Sequence, residues 1–155
     1  MFNASPSDAD RASLVRHVRR NPKLAGERAE SAFITEALER GLIVSRPFGE
    51  STSYDTIVDN RALQPERPGS HLWRIQVRSI SGRAPYRVTT FHGTAKRPIT
   101  RADSDFLAVL IVPLRTWYII PVRAFAPTMG LWLFPQVVNS RGRYEKYRDG
   151  WRQLM

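Results

Sequence analysis

Apolar and polar positions alternate most regularly at residues 72–80, LWRIQVRSI, with Trp73, Ile75 and Val77 on one side of an extended chain and Arg74, Gln76 and Arg78 on the other. That period predicts a strand with one face in the core and an unusual polar row on the other. LIVSRP (42–47), YDTIVD (54–59) and PYRVTTF (85–91) predict further strands. FLAVLIVP (106–113) and WYIIPV (117–122) are continuous apolar runs split by Leu114-Arg115-Thr116, a signature of two buried strands joined as a hairpin. Helical spacing appears at Leu14, Val15 and Val18, after a start signal at Ser5-Pro6-Ser7-Asp8 and before Asn21-Pro22, predicting a short basic helix. A second helix is predicted from Leu24 to Arg40, with Gly41 at its C-cap. Tyr144, Tyr147, Trp151 and Leu154 recur at i, i+3, i+7 and i+10 and predict a closing amphipathic helix despite Gly150. NRALQPERPGSH (60–71) reads as a polar loop and HGTAKRPITRADSD (92–105) as a basic loop or broken helix. This order of elements predicts a mixed α/β domain.

Composition sharpens the picture in three ways. At 155 residues and 42% apolar content, the chain is long enough for one domain with a real core. Its 24 Lys plus Arg against 14 Asp plus Glu leave a formal charge of +10, which favours a polyanionic partner through counterion release. All but Lys23, Lys96 and Lys146 of those cations are arginines, whose forks match phosphate oxygens. With no cysteine, disulfides, thiolate metal sites and a cysteine nucleophile are excluded. His17, His71 and His92 share no metal-ligand spacing, which argues against zinc. The N-terminus lacks the apolar segment of a signal peptide and no apolar run reaches 18 residues, so a soluble cytoplasmic protein without membrane contact is expected.

Candidate chemistry begins on the second helix. With Phe33 at zero and about 100° per residue, Ala29, Ala37, Ile34 and Leu38 form an apolar arc, and Glu30 falls at about +60°, inside it. Glu27 lies nearer the edge. A carboxylate so placed calls for a counter-charge or an ion. Asp55 opens the strand YDTIVD, and Gln76 and Arg78, two apart on one strand, project to the same side. An acid on a helix, an acid at a strand start and Gln-x-Arg on the next strand make an oxygen-rich site beside a cation, suited to a hard ion and to phosphoryl chemistry. Asp103 and Asp105 are better explained as turn or capping residues.

GERAE (26–30), YDTIVD (54–59), RIQVRS (74–79) and, more loosely, DSDFLAVLIVPLRTWYIIPV (103–122) together resemble the PD-(D/E)xK nuclease superfamily, in its branch of bacterial group I intron homing endonucleases and Holliday-junction resolvases. The resemblance implies a restriction-endonuclease-like mixed central sheet flanked by helices. It also implies a division into a basic N-terminal helix (1–23), a nuclease core (24–125) and a C-terminal strand and amphipathic helix packed on the core (126–155). The implied activity is metal-dependent hydrolysis of DNA phosphodiesters, with RNA left open, by a homodimer or larger assembly. Glu30, Asp55, Gln76 and Arg78 are the implied catalytic residues. Mg²⁺, with Mn²⁺ as substitute, would be held by Asp55, Gln76, the backbone carbonyl near Val77 and Glu30. Arg16, Arg19, Arg20, Lys96, Arg97 and Arg101 are the expected nucleic-acid contacts. The chain departs from the family pattern at Gln76, one carboxylate fewer, and at Arg78, which stands where the family has lysine. A guanidinium stays charged and can only donate, so the alternative expectation is a nuclease-fold module that binds nucleic acid without cutting it. Lys96, in the loop after the fourth strand, is better explained as a solvated loop lysine than as an amine supplied to the site from elsewhere. A third expectation is a structural basic protein with a buried Glu30–Arg78 pair.

Overall fold

The computed structural model describes residues 21–49, 51–63, 65–66, 72–138 and 140–155. The predicted N-terminal basic helix, with Arg16, Arg19 and Arg20, lies outside the described residues. Helix α1 (Pro22–Glu39) starts where its sequence dictates: the Asn21 side chain accepts from the Leu24 amide at 3.1 Å and Pro22 takes the first turn, where its missing N–H costs nothing. It ends at Gly41, whose φ of +78° suits glycine and whose N–H donates to Leu38.

The central sheet has five strands in the order β1 (Ile43–Ser45), β2 (Thr56–Asp59), β3 (Leu72–Ile80), β7 (Phe106–Ile111) and β8 (Thr116–Pro121). Pairing is antiparallel except between β3 and β7, which run parallel with Gln76 opposite Leu107. The predicted hairpin of the two apolar runs is therefore β7–β8. Between β3 and β7 the chain forms β4 (Tyr86–Thr89), which pairs with β9 (Gly130–Leu133) as a separate ribbon, and a small hairpin of β5 (Phe91–His92) with β6 (Arg97–Pro98). The basic segment expected as a loop or broken helix thus contains the second arm of that hairpin.

Strand parity sorts the core into two layers. Ile75, Val77, Phe106, Ala108, Trp117 and Ile119 face α1, where Phe33 stacks on Trp151 at 5.3 Å and meets the edge of Trp117 at 5.7 Å. Each such aromatic pair adds about 0.5–1.5 kcal/mol beyond its buried area. Leu107, Val109, Ile111, Tyr118 and Ile120 face the other way, against Tyr86, Val88, Leu131 and Leu133 of the ribbon. A restriction-endonuclease-like mixed sheet is present as expected; the face away from α1 is covered by the β4–β9 ribbon rather than by a second helix.

Two details correct the sequence reading. The C-terminal segment is not one amphipathic helix but two 3-10 turns, Glu145–Tyr147 and Trp151–Leu154. Between them Asp149 takes a φ of +47°, and a side chain at Gly150 would meet the Tyr147 carbonyl at 2.9 Å. The break sends Tyr144 to the ribbon-side core and Trp151 and Leu154 to the α1-side core, which a continuous helix with all four on one face could not do. On α1 the buried stripe is only Ala29, Phe33 and Ala37; Leu38 is 54% exposed, so Glu30 sits at the stripe's edge instead of its centre.

Candidate active-site cleft

Glu30 and Asp55 line one cleft because α1 packs on β3 and β1, the two strands that flank β2. The residue before β2, Asp55, is fastened to β3 twice: its own N–H donates to the Ile75 carbonyl at 2.9 Å, and its Oδ2 accepts from the Val77 N–H at 2.6 Å. The same Oδ2 accepts from Gln76 Nε2 at 2.5 Å. Gln76 is 3% exposed, so the polar row on β3 is not a wet face at this point. Arg78, next along the row, is partly buried and donates to the Phe91 carbonyl at 3.4 Å. Glu30 Oε2 accepts from Arg46, just after β1, at 2.7 Å. The expected buried Glu30–Arg78 pair is thus replaced by a Glu30–Arg46 pair.

A cleft of about 350 Å³ opens over these acids, lined by Lys23, Gly26, Glu27 and Glu30 of α1, by Arg46, Pro47 and Gly49, and by Thr52, Tyr54 and Asp55. Both carboxyls are held above their ordinary range. For Glu30 the main cause is burial, followed by the nearby charge of Asp55, against which Arg46 and Arg78 pull. For Asp55 it is again burial, only partly offset by the Val77 N–H, Arg78 and His92. Burial in turn pulls the Arg78 guanidinium down, while Asp55 and Glu30 support its charge. Two half-buried acids facing a solvent-open cleft, Glu30 raised in part by the charge of Asp55, have less positive charge around them than their burial calls for.

The donor set suits a hard divalent cation. Magnesium is usually held by one or two carboxylates together with substrate phosphate oxygens, so the lack of a cluster of three His, Cys, Asp or Glu among the described residues does not count against it. Both bonds to Asp55 fall on one oxygen, which leaves lone pairs on the other for a cation. Gln76 as placed serves Asp55 as a donor; a half-turn of its terminal amide would present oxygen instead.

Elsewhere the expected residues separate. Asp103 closes a turn, as expected, accepting from the Thr100 N–H and hydroxyl and from both terminal nitrogens of Arg97. Arg97, Lys96 and Arg101 all lie on the β5–β6 hairpin or the turn after it, and Lys96 occupies an exposed turn with φ +51°. It does not line the cleft. Asp105 binds Arg74 through the arginine's backbone N–H, Nε and terminal nitrogen.

Arg46 and Lys23 went unnoticed in the sequence. The signal for Lys23 was available, since it precedes Glu30 by seven residues, two helical turns on one face. Arg46 and His92 carried none. The imidazole Nε2 of His92 is buried with no hydrogen-bond partner among the described residues, and burial lowers its pKa beside Arg78 and Asp103.

A mixed sheet that brings an acid from a helix and an acid from a strand start over a Gln-x-Arg strand defines a restriction-endonuclease-like nuclease domain. A family model described as PD-(D/E)XK endonuclease matches residues 20–152, and the chain belongs to that family. Among solved structures, a bacterial homing endonuclease, I-Ssp6803I, is similar at a TM-score of 0.72 and 27% identity, over 86% of this chain and 93% of that one. No curated protein matches. No helix among the described residues is long and apolar enough to cross a membrane.

Proposed function

We propose that the protein is a divalent-metal-dependent DNA endonuclease whose active site is the cleft floored by Asp55. The observation that carries this reading is the pair of carboxyls, Glu30 and Asp55, both with raised pKa and both facing a solvent-open cleft in a strongly basic chain. Mg²⁺ or Mn²⁺ would be held by Asp55, by Gln76 through its amide oxygen, by the Val77 carbonyl and by Glu30, directly or through water. When bound, such an ion polarises the phosphate and lowers the pKa of a coordinated water.

The chain's own groups do the rest. The Val77 N–H fixes the Asp55 carboxylate in one orientation, and Gln76, which donates to the same oxygen, would exchange that bond for the ion when its amide turns. Arg78, behind the cleft, offsets part of the charge of both acids, and Arg46 holds Glu30 against the wall. In the reaction a water oxygen bonds to phosphorus and gives up a proton to solvent as the P–O bond to one sugar breaks, and the released sugar oxygen takes up a proton from solvent. Cutting both strands of a duplex takes two such sites, so a symmetric dimer or larger assembly is the working form. The fold's positive charge, with Arg101 and Lys96 exposed on the β5–β6 side, supplies the backbone grip.

A plasmid-nicking assay with and without Mg²⁺ or Mn²⁺ tests the reading, with Asp55→Asn as the control. Metal-dependent nicking lost in Asp55→Asn supports it; binding without nicking under any condition rejects it. That second outcome selects the binding-module reading, which one observation favours: the cation at the usual lysine position is an arginine drawn back from the cleft.

A further inference from the structure

We infer that the groove between Arg101 and Arg123 seats the DNA backbone beyond the cut site, and that this seat continues past Arg123 to Arg143 and Lys146. The inference rests on the nuclease reading of the cleft. The groove measures about 320 Å³ and lies between the turn after β6, which bears Arg101, and the 3-10 turn Val122–Ala124 after β8, which bears Arg123. A second hollow of about 180 Å³ is walled by Arg123, Arg143 and Lys146, so Arg123 borders both.

Most acids near arginines in this chain are already spent. Arg46 meets Glu30, Arg61 meets Asp59, Arg97 meets Asp103 and Arg148 meets Glu145. Asp105, the acid on the first groove, is held by Arg74 through three donors. No acid lines the second hollow. The side chains of Arg101 and Arg123 are exposed and meet no acid, carbonyl or ring among the described residues. Arg143 lies over the Tyr144 ring at 5.5 Å and Lys146 over the Tyr147 ring at 5.1 Å. An aromatic face positions a cation without cancelling its charge.

The frame beneath these cations is firm. The Val122 N–H donates to the Asp105 carbonyl at 2.9 Å, and Val122 and Phe125, on either side of Arg123, are buried. Arg74 donates to the Arg101 and Ala102 carbonyls at 2.8 and 2.7 Å. The same segment reaches the active-site cleft: the Ser53 hydroxyl donates to the Asp103 carbonyl at 3.2 Å, and Thr52 and Tyr54 line that cleft. A DNA strand with one phosphate over Asp55 can therefore cross residues 101–103 to place later phosphates against Arg101 and then Arg123. Both forks match phosphate oxygens, and contacts of this kind position the duplex without reading its sequence.

The test measures duplex binding against salt in EDTA, so that binding is read whether or not the chain cuts. Arg123→Met should reduce the slope of log affinity against log salt by about 0.9, and Arg101→Met with Arg123→Met by about 1.8. Arg115→Met removes the same charge from the exposed turn at the other end of β8 and should leave the slope in place. An unchanged slope in Arg123→Met, or an equal loss in Arg115→Met, overturns the inference. Arg123→Lys should restore most of the slope. Should Arg123→Met fail to fold, Arg101→Met reads the same groove from its other wall. Under nicking conditions Arg123→Met should raise KM and leave kcat unchanged, as a contact away from the reacting phosphate does. A fall in kcat at constant KM would place Arg123 at the reacting centre and overturn the claim. If wild type never nicks, the nuclease reading fails by itself, and the salt slopes still decide whether this groove grips DNA.

Discussion

The two ends of the polar row on β3 contain the same kinds of group and treat them oppositely. At one end Arg74 meets Asp105 through three donors and also donates from its terminal nitrogens to the Arg101 and Ala102 carbonyls. Asp105 raises the Arg74 pKa, as expected for a satisfied pair. At the other end Gln76 and Arg78 attend Asp55 and Glu30, yet both acids remain destabilised in their charged forms. Matched charge at the first end joins β3 to the β7 entry; unmatched charge at the second leaves an opening for a cation and a phosphate. The imbalance, more than the residue types, separates a structural cluster from a candidate catalytic one.

The largest expected contrast comes from neutralising each acid in turn. Asp55→Asn should lower nicking by about 10³-fold or more, as removal of a metal-binding group in a concerted site does, and leave a folded protein. Asp105→Asn should do the reverse: nicking preserved at low temperature, and stability lower by about 1–3 kcal/mol in urea titration, because Arg74 loses its partner. If Asp105→Asn abolished nicking at full stability, the two ends would not differ in kind.

Arg78→Ala should cost about 10²-fold in nicking. Without that guanidinium Asp55 and Glu30 become still harder to ionise, so the acid limb of the pH–rate profile should move to higher pH. Arg78→Lys should keep the limb in place. An unshifted limb in Arg78→Ala would show that Arg78 does not support the acids.

The pH dependence of stability should run in opposite directions at two aspartates. Asp103 is held far below the usual carboxylate range, mainly by the Arg97 fork, so its contribution is present at neutral pH and lost as pH falls through its lowered value. Asp103→Asn should therefore be less stable than wild type at pH 7, with the gap closing in acid. Asp55, raised chiefly by burial, is better tolerated protonated, and its favourable contribution is lost as pH rises through its raised value. Asp55→Asn should match wild type in acid and exceed it at pH 7. Thermal melts at several pH values distinguish these slopes.

The smallest effect is a ligand shift. Mg²⁺ at about ten times its Kd should stabilise wild type by about 1.4 kcal/mol at pH 7 and leave Asp55→Asn unmoved. Equal shifts in both would place the ion elsewhere.

The sequence by itself determined the strands at β2, β3, β7 and β8 and the span of α1 with its Gly41 cap, and it put forward Glu30, Asp55, Gln76 and Arg78, of which Glu30 and Asp55 line one cleft, Gln76 bonds to Asp55 and Arg78 stays outside the lining. These are local signals: a period of two or 3.6, a cap, an i, i+2 parity, each legible within one element. Tertiary structure alone decided which charges meet. Glu30 finds Arg46 across 16 residues and Arg74 finds Asp105 across 31, distances set by the pairing of β1, β2, β3 and β7 and invisible to any local period. The same holds for the ribbon that replaces a second helix layer and for the closing segment, whose aromatic spacing was helical but whose positions are claimed by cores on opposite sides of the sheet. Packing against two separate layers outweighs a helical period of four residues, because each aromatic gains more by burial than one turn of helix gains by forming.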